Sequence, residues 1–254
     1  MTEQNFYLLV YAWIGVALVT FPFVLRIAAP YGRHTTRKWG TLIDNRLGWI
    51  LMEFPALGVF AGFYLLGNGE KPALAWLFFS LWALHYINRT LIFPFRLRTK
   101  GKKMPLAIVF MAFGFNLMNG FINGYYLGTL ATADQYPAAY LLDPRFLGGI
   151  LLFVAGMGIN WQSDHILIHL RKPGDTAYII PKGGMFRWIS CPNHFGEIVE
   201  WTGYALMVWS APALAFAVWT LINLLPRALQ HHAWYRSTFP EYPRDRKALI
   251  PGLL

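Results

Sequence analysis

The stretch FLGGILLFVAGMGINWQSDHILIHL, residues 146–170, decides the fold class. Its first half is almost wholly apolar, and about 20 such residues are enough for a helix to cross a bilayer. Its second half carries Asn160, Asp164 and His165, which are costly inside a membrane and usually mark function there. The stretch therefore predicts a membrane-spanning helix with a polar face toward its C-terminal end.

The composition of the whole chain agrees with a membrane protein. Hydrophobic residues make up 56% of the 254 residues and charged residues only 13%, against about 45–50% and about 25% in soluble domains. The mean hydropathy is +0.38. A disordered chain is excluded and a soluble domain disfavoured. The single cysteine, Cys191, excludes an intramolecular disulfide framework and any multi-cysteine metal site.

Six further stretches have the length or the apolar character of a membrane span, and the last two are short. The seven predicted spans are residues 6–29, 47–66, 73–95, 104–130, 146–170, 195–210 and 213–229. No repeat or long linker divides them. The sequence predicts an all-α integral membrane protein with seven transmembrane helices and one membrane-embedded domain, residues 1–254.

Lysines and arginines alternate between the loops. Eighteen of the 22 lie after the first, third, fifth and seventh spans or, as Arg227 does, at the end of the seventh, whereas only Lys71 and Arg145 lie in loops on the other side. Because cytoplasmic loops carry the excess of basic residues, we expect the N-terminus outside and the C-terminus in the cytosol. This asymmetry accounts for the net charge of +10 without a nucleic-acid partner.

Polar residues recur in pairs four apart, and such residues share one face of a helix. The pairs are Asn160 and Asp164, Asn193 and Glu197, and His231 and Tyr235. Arg171 follows the first pair. Pro192 predicts a helix start at Asn193, where first-turn N–H groups suit a phosphate. The pairs are typical of a site for a long anionic ligand such as a dinucleotide; helix caps and snorkelling charges are the alternative.

Glu53 and Tyr86 lie within apolar spans, away from these pairs. A carboxyl group in an apolar pocket can stay protonated and donate a hydrogen bond, as a tyrosine hydroxyl does. Two such donors converging on a carbonyl oxygen would stabilise a developing enolate. The alternative is a structural hydrogen bond or ion pair, for instance between Glu53 and Arg89.

The histidines were weighed as metal ligands. His165 and His169 have helical i, i+4 spacing, and His231 and His232 follow later. The membrane di-iron enzymes that this spacing resembles carry larger histidine clusters, arranged in several sequence boxes. This chain has seven histidines in all. We therefore expect no metal.

Two long motifs carry a resemblance to a known family. They are GMGINWQSDHILIHLRKPGDTAYIIPKGGMFRWISCPNHFGEIVEWTGYAL (156–206) and HHAWYRSTFPEYPRDRKALIP (231–251). Both resemble the steroid 5α-reductases. The similarity extends upstream through NGFINGYYLG (119–128), LHYINRT (84–90) and the segment around Glu53.

The resemblance implies NADPH-dependent reduction of the C4–C5 double bond of a 3-oxo-Δ4-steroid. It assigns the 3-keto oxygen to Glu53 and Tyr86, and most of the cofactor site to residues 146–254. The cofactor-contacting positions it implies are Asn160, Asp164, Arg171, Tyr178, Asn193, Glu197, His231 and Tyr235, with Lys100 and Lys102 at the 2′-phosphate.

One position departs from the family pattern, because His194 stands where an apolar aromatic residue is expected. Two other enzyme readings stay open: an S-adenosylmethionine-dependent methyltransferase of the isoprenylcysteine type, and another sterol or enone reductase such as a sterol C14-reductase. A non-catalytic sterol-binding protein is the third alternative. We expect a monomer that takes a steroid or related enone from the bilayer, in a bacterial inner membrane or the endoplasmic reticulum.

Overall fold

A computed structural model describes residues 1–27, 37–98, 101–170 and 177–254 of the chain. Most of its regular structure is helical, as the composition predicts. The α-helices, in chain order, are α1 (Glu3–Arg26), α2 (Asn45–Leu66), α3 (Ala73–Ile87), α4 (Phe93–Arg96), α5 (Leu106–Tyr125), α6 (Pro144–His169), α7 (Pro192–Val208) and α8 (Ala211–Thr238).

Shorter elements join or extend these helices. The π-helical turn Asn88–Ile92 joins α3 to α4 into one helical segment, and Tyr126–Leu130 continues α5. Two short strands, β1 (Leu42–Asp44) and β2 (Lys103–Pro105), pair antiparallel just before α2 and α5. Three 3₁₀ turns lie at Arg37–Trp39, Ala138–Leu142 and Gly184–Arg187.

Within the described residues, five helical segments are long and apolar enough to cross a membrane. They are Glu3–Arg26, Asn45–Leu66, Leu106–Leu130, Pro144–His169 and Ala211–Thr238. These match the first, second, fourth, fifth and seventh predicted spans. The third predicted span coincides with α3, which has 15 residues, and its continuation through α4; the sixth coincides with α7, which has 17. The count of seven spans and the orientation of the termini stay predictions.

The last helix is longer than the sequence predicts. The predicted span ends at residue 229, but α8 continues to Thr238 and keeps His231 and Tyr235 on the helix. Polar residues do not end a helix by themselves, whereas Pro240 disfavours helical backbone at the residue before it. Between α7 and α8 lie only Trp209 and Ser210, as expected for a tight hairpin. Trp209 has a left-handed φ of 47°.

Contacts divide the described residues into two compact units. The first unit comprises Met1–Tyr11, Pro30–Phe146 and Ser210–Pro212, and the second comprises Ala12–Ala29, Leu147–Trp209 and Ala213–Leu254. The first therefore contains α2 to α5, and the second contains most of α6 with α7 and α8.

In the first unit, α2 packs along α5 through glycines spaced by four residues. We call Gly120, Gly124 and Gly128 the α2–α5 seam. A Cβ on Gly120 would lie 2.9 Å from the Pro55 carbonyl oxygen, and one on Gly124 would lie 3.0 Å from the Phe60 Cα. The spacing from Gly120 to Gly124 predicts such close packing, and the structure confirms it.

In the second unit, α6 and α7 approach through glycines on both helices, the α6–α7 seam. A Cβ on Gly156 would lie 2.5 Å from the Gly196 carbonyl oxygen, and one on Gly196 would lie 2.6 Å from the Gly156 carbonyl oxygen. Gly149 and Gly203 form the same reciprocal contact, at 2.7 Å and 2.6 Å. Neither helix can take a larger side chain at these points without moving away from the other.

After α8, the chain turns back to the residues that precede α7. We call residues 239–250 the C-terminal tail. Lys247 pairs with Ile189 in a parallel bridge, and the Ser190 N–H donates to the Lys247 carbonyl oxygen at 2.8 Å. Behind this bridge, Cys191 and Leu249 pack in one buried cluster. The tail therefore supports the start of α7.

Candidate functional site

The helix pair α6–α7 brings two of the predicted cofactor residues into contact. Asn160 is 1% exposed, and its Nδ2 donates to the Asn193 carbonyl oxygen at 3.0 Å. Its Oδ1 is buried and has no hydrogen-bond partner among the described residues. An unsatisfied buried acceptor costs free energy, so Asn160 is suited to receive a donor from a ligand.

The glycine seam makes this contact possible. A Cβ on Gly196 would lie 2.6 Å from the backbone nitrogen of Asn160. Neither Gly196 nor Gly156 was predicted from the sequence as part of the site. A signal was present, because Gly149 and Gly156 are seven residues apart, as are Gly196 and Gly203. This spacing is two helical turns, which puts each pair on one face of its helix.

The start of α7 differs slightly from the prediction. Cys191 is the residue before the helix, Pro192 is the first helical residue and Asn193 the second. Proline is favoured at the first position because its missing N–H would have no acceptor there. The N–H groups of a first helical turn have no acceptor within the helix and attract anions. Asn193 therefore lies in the turn that suits a phosphate or a polar amide.

Asp164 lies on the face of α6 that carries Asn160, and Glu197 lies on the face of α7 that carries Asn193. Asp164 is buried one turn beyond Asn160 on α6, and Glu197 is half-buried one turn beyond Asn193 on α7. Each has interaction partners in the structure.

Helix α8 presents the third pair. The His231 ring lies 5.7 Å from the ring of His194 on α7, with an angle of 33° between them. One turn further, Tyr235 is 4% exposed and stacks on Tyr242 with centroids 5.2 Å apart. The departure from the family pattern, His194, is thus in contact with a predicted cofactor residue.

Tyr178 lies at the rim of this group. It is 38% exposed, and its ring meets the ring of Trp234 edge-on at 5.1 Å. Trp234 in turn contacts Tyr235. The structure therefore places seven of the predicted cofactor residues in the second unit, six of them on α6, α7 and α8.

The remaining predicted cofactor residues cannot be related to this group. Arg171 and Lys100 lie outside the described residues. Lys102 belongs to the first unit, where its carbonyl oxygen accepts from the Asn45 N–H at 3.1 Å.

In the first unit, the register of α2 and α3 sets the level of Glu53 and Tyr86. On the side of the α2 C-terminus and the α3 N-terminus, Trp82 donates to the Ala56 carbonyl oxygen at 2.8 Å. Toward the other end, the Arg89 guanidinium lies over the Trp49 ring at 4.8 Å. Because the helices are antiparallel and these contacts bracket both positions, Glu53 and Tyr86 lie at the same level.

A third helix contributes an asparagine at this level. Asn116 of α5 donates through Nδ2 to the Met52 carbonyl oxygen at 2.6 Å, and the same nitrogen lies 3.4 Å from Oε2 of Glu53. An amide nitrogen can only donate, so it occupies an acceptor oxygen of the carboxyl group. The other oxygen, Oε1, can then carry the proton when Glu53 is neutral.

The π-helical turn next to Tyr86 was not predicted from the sequence. π-turns are rare and are frequent at functional sites. Thr90 in this turn is fully buried, and its Oγ1 has no hydrogen-bond partner among the described residues. Thr90 therefore places a buried hydroxyl group about two helical turns after Trp82 in the same helical segment.

Two features of the second unit fit a dinucleotide. The buried Oδ1 of Asn160 can accept an amide N–H, and the first turn of α7 offers N–H donors for an anion. No group of three or more His, Cys, Asp and Glu suited to a metal ion was found within the described ranges.

Comparison with known proteins gives the family. The family model described as 3-oxo-5-alpha-steroid 4-dehydrogenase matches residues 102–254. The chain is 42% identical over 242 residues to the steroid 5-alpha-reductase DET2 of Gossypium hirsutum, covering 93% of this chain and 92% of that protein. It is 40% identical to 3-oxo-5-alpha-steroid 4-dehydrogenase 1 of Bos taurus (97% and 96% covered) and of Homo sapiens (96% and 94%).

Proposed function

The chain belongs to the 3-oxo-5-alpha-steroid 4-dehydrogenase family, and from this premise we propose that it reduces the C4–C5 double bond of 3-oxo-Δ4-steroids with NADPH. The predicted family and the predicted class of enzyme, an oxidoreductase, are confirmed. The match over more than nine-tenths of two relatives is the observation that carries the proposal. It favours the reductase over the methyltransferase and the non-catalytic alternatives.

The setting of the reaction is a membrane. Five helices are long and apolar enough to span one, and α1 exposes large apolar side chains such as Leu8, Val19 and Phe23. Our proposal is a single domain with seven spans, the N-terminus outside and the C-terminus in the cytosol. The alternation of basic loops supports it. A monomer is expected.

The cofactor side is assigned to the second unit. When bound, NADPH supplies the hydride for C5 of the steroid. Asn160 would accept a hydrogen bond from the carboxamide, with Glu197 and Tyr235 nearby on α7 and α8. The first turn of α7, with Asn193, would hold a phosphate, and Asp164, Tyr178 and His231 would line the remainder. Arg171, Lys100 and Lys102 stay candidate phosphate contacts.

The substrate side is assigned to Glu53 and Tyr86. Both would donate hydrogen bonds to the 3-keto oxygen, which makes C5 electrophilic. As hydride reaches C5, the electron pair of the C4–C5 bond moves toward the oxygen and gives an enolate that the two donors stabilise. A proton at C4 completes the reduction. The contact from Asn116 to Oε2 supports this assignment, because it holds the Glu53 carboxyl group at the level of Tyr86.

The first test is NADPH consumption by the purified protein with and without testosterone or progesterone. We expect steroid-dependent consumption and a product two hydrogens heavier. NADPH binding without steroid turnover would redirect the search to another lipophilic enone, and binding of S-adenosylmethionine in place of NADPH would contradict the proposal.

The second test replaces Glu53 by Gln, which keeps the shape but removes the acidic donor. Turnover should fall by about 100-fold or more, as for loss of one oxyanion-stabilising donor, while NADPH affinity stays unchanged. Glu241→Gln, at an exposed position of the tail, is the matched control and should behave as wild type. Full turnover by Glu53→Gln would remove Glu53 from the mechanism.

A further inference from the structure

The hydroxyl group of Ser190 connects three distant parts of the second unit. Its Oγ lies 2.6 Å from Nδ1 of His232 on α8, 2.6 Å from the hydroxyl of Tyr242, and 3.1 Å from the Lys247 carbonyl oxygen. Ser190 is buried and stands two residues before α7. One buried hydroxyl thus joins the start of α7, helix α8 and the C-terminal tail.

The donors and acceptors of this group have a direction. Arg246 has donors only, and its Nη1 lies 3.5 Å from the Tyr242 hydroxyl and 3.3 Å from the Pro181 carbonyl oxygen. The Tyr242 hydroxyl therefore accepts from Arg246 and keeps its own proton for Ser190. The Tyr242–Ser190 contact therefore joins the tail to the residues before α7 through a buried pair of hydroxyl groups.

The tail also fixes the plane of an aromatic ring in the cofactor group. The rings of Tyr242 and Tyr235 are nearly parallel, at 10°, with centroids 5.2 Å apart. The Arg246 guanidinium covers Tyr242 at 5.0 Å. All three side chains are buried, with exposures of 5% or less. Interiors are close-packed, so a shift of Tyr242 is transmitted to Tyr235.

The backbone of the tail holds the other end of the same group. The Lys247 N–H donates to the Trp188 carbonyl oxygen at 2.9 Å, and the Cys191 N–H donates to the Ala248 carbonyl oxygen at 3.2 Å. Cys191 is the residue that directly precedes α7. The tail thus contacts the residues that lead into Asn193 and also supplies the ring that stacks on Tyr235.

We propose that the C-terminal tail is a positioning element for the cofactor: Tyr242 sets the ring of Tyr235, and its hydrogen bond to Ser190 couples that ring to the first turn of α7. Neither Tyr242 nor Ser190 need touch the cofactor. This inference rests on the proposed function, since it concerns the same NADPH site. It predicts that the Tyr242–Ser190 contact affects NADPH binding and leaves the steroid step alone.

The experiment uses the full chain with Tyr242→Phe, Ser190→Ala and the double variant. NADPH affinity and the KM values for NADPH and steroid are measured for each. Tyr242→Phe should weaken NADPH binding about five-fold through loss of one buried hydrogen bond to Ser190, with kcat and the steroid KM unchanged. Ser190→Ala should weaken it at least as much, because its hydroxyl also contacts His232 and the Lys247 carbonyl oxygen. Because the Tyr242 hydroxyl acts through Ser190, the double variant should bind NADPH no more weakly than Ser190→Ala.

Matched controls separate this effect from a general loss of stability. Tyr64 is also fully buried, but its hydroxyl has no hydrogen-bond partner among the described residues, so Tyr64→Phe should bind NADPH as wild type does. Ser237 bonds only locally, to the Trp234 carbonyl oxygen at 3.0 Å. Ser237→Ala should therefore also match wild type.

Three outcomes would overturn the inference: unchanged NADPH affinity in folded Tyr242→Phe, additive losses in the double variant, or an equal rise in the steroid KM. If one single variant does not fold, the other carries the test through the same two KM values. Failure of the proposed function is distinct, because wild-type protein itself would then bind no NADPH.

Discussion

The α2–α5 seam and the α6–α7 seam use the same device in two different ways. In both, glycines let two helix backbones touch, and the row ends at an asparagine. Asn116 continues the four-residue spacing of the α2–α5 seam and donates to a carbonyl oxygen of α2. Asn160 follows Gly156 by four residues and donates to a carbonyl oxygen of α7. Each seam thus ends in an interhelical hydrogen bond.

The two seams differ in which helix carries the glycines. Within the helices of the α2–α5 seam all three glycines belong to the α5 segment, and α2 offers backbone and ordinary side chains; Gly67 meets Gly128 only at the C-cap, beyond the end of α2. In the α6–α7 seam each glycine of one helix faces a glycine of the other, so both helices fix the point where they cross. The asparagines differ accordingly, since Asn116 reaches a side chain, Glu53, whereas Asn160 keeps an unpartnered acceptor.

This difference suggests a division of labour. A reciprocal seam leaves little freedom for the helices to slide, which suits a site that must hold a large ligand by polar contacts. A one-sided seam sets only the level of the groups beside it, which is sufficient for two donors that meet one oxygen atom. The predictions below test this division.

The largest effect is expected from Gly196→Ala. Its Cβ would lie 2.6 Å from both the Asn160 nitrogen and the Gly156 carbonyl oxygen, so α6 and α7 must separate. We expect a loss of about 1–3 kcal/mol in stability, as for overpacking elsewhere, together with weaker NADPH binding. Thermal unfolding and NADPH titration measure the two effects.

Two further glycine variants sharpen this result. Gly120→Ala, in the one-sided seam, should lower stability without lowering NADPH affinity. Gly158→Ala is the control on α6, because nothing lies within 4 Å of its added Cβ; it should be neutral or slightly stabilising. Equal loss of NADPH affinity in Gly120→Ala would argue against the division.

The next effect concerns the asparagines that end the seams. Asn160→Ala should weaken NADPH binding about ten-fold and leave the steroid KM unchanged. Asn116→Ala should lower kcat by a similar factor and leave NADPH affinity unchanged, because it acts on Glu53. Steady-state kinetics with each substrate varied in turn separates the two.

Asn223→Ala is the matched control for both variants. Its Nδ2 donates only within α8, to the Trp219 carbonyl oxygen at 3.0 Å. We expect near wild-type kinetics from it. If Asn160→Ala and Asn116→Ala changed the same kinetic parameter, the two seams would not serve different ligands.

The smallest effect is expected at the N-terminal end of α6, where Asp143 caps the helix. Its Oδ1 accepts from the Arg145 N–H at 2.8 Å, whereas Pro105 gives α5 no side-chain cap. Hydrogen bonds from the Arg145 side chain and N–H lower the pKa of Asp143 to about 2. A lowered pKa adds stability above the unfolded value of about 4, and this is lost as the pH falls toward about 2.

Asp143→Asn keeps an acceptor for the cap but removes the ion pair. It should lower the melting temperature slightly at pH 6, and the difference from wild type should shrink as the pH falls toward 3. A difference that stays constant with pH would show that the ion pair adds nothing to stability.

Much of the fold could be predicted from the sequence because apolar length alone locates membrane helices. The α6 segment and the pairing of polar residues four apart followed from the composition and the helical period. The close contact of Asn160 with Asn193 did not, because it depends on where two helices cross, and only the glycine pairs seven apart record that point.

Other parts of the site had no local signal. The C-terminal tail pairs with residues more than 50 positions earlier, and neither Ser190 nor Tyr242 stands in a pattern that predicts a partner. The extent of α8 beyond its predicted span was not predicted, because apolar residues mark the span and not the helix end before Pro240. The π-helical turn after Tyr86 could not be predicted, because the spacing of apolar residues along the sequence does not mark it.

The return of the tail to Ser190 has a consequence for biosynthesis. A ribosome makes residues 246–248 after α1 to α8, so the segment that pairs with residues 188–191 is synthesised later than every helix described above. Without that segment, Trp188, Ser190 and Cys191 lack these backbone hydrogen-bond partners. Formation of the helices alone therefore does not complete the site, and a chain truncated before Tyr242 would keep the sequence of α1 to α8 without the partners of residues 188–191.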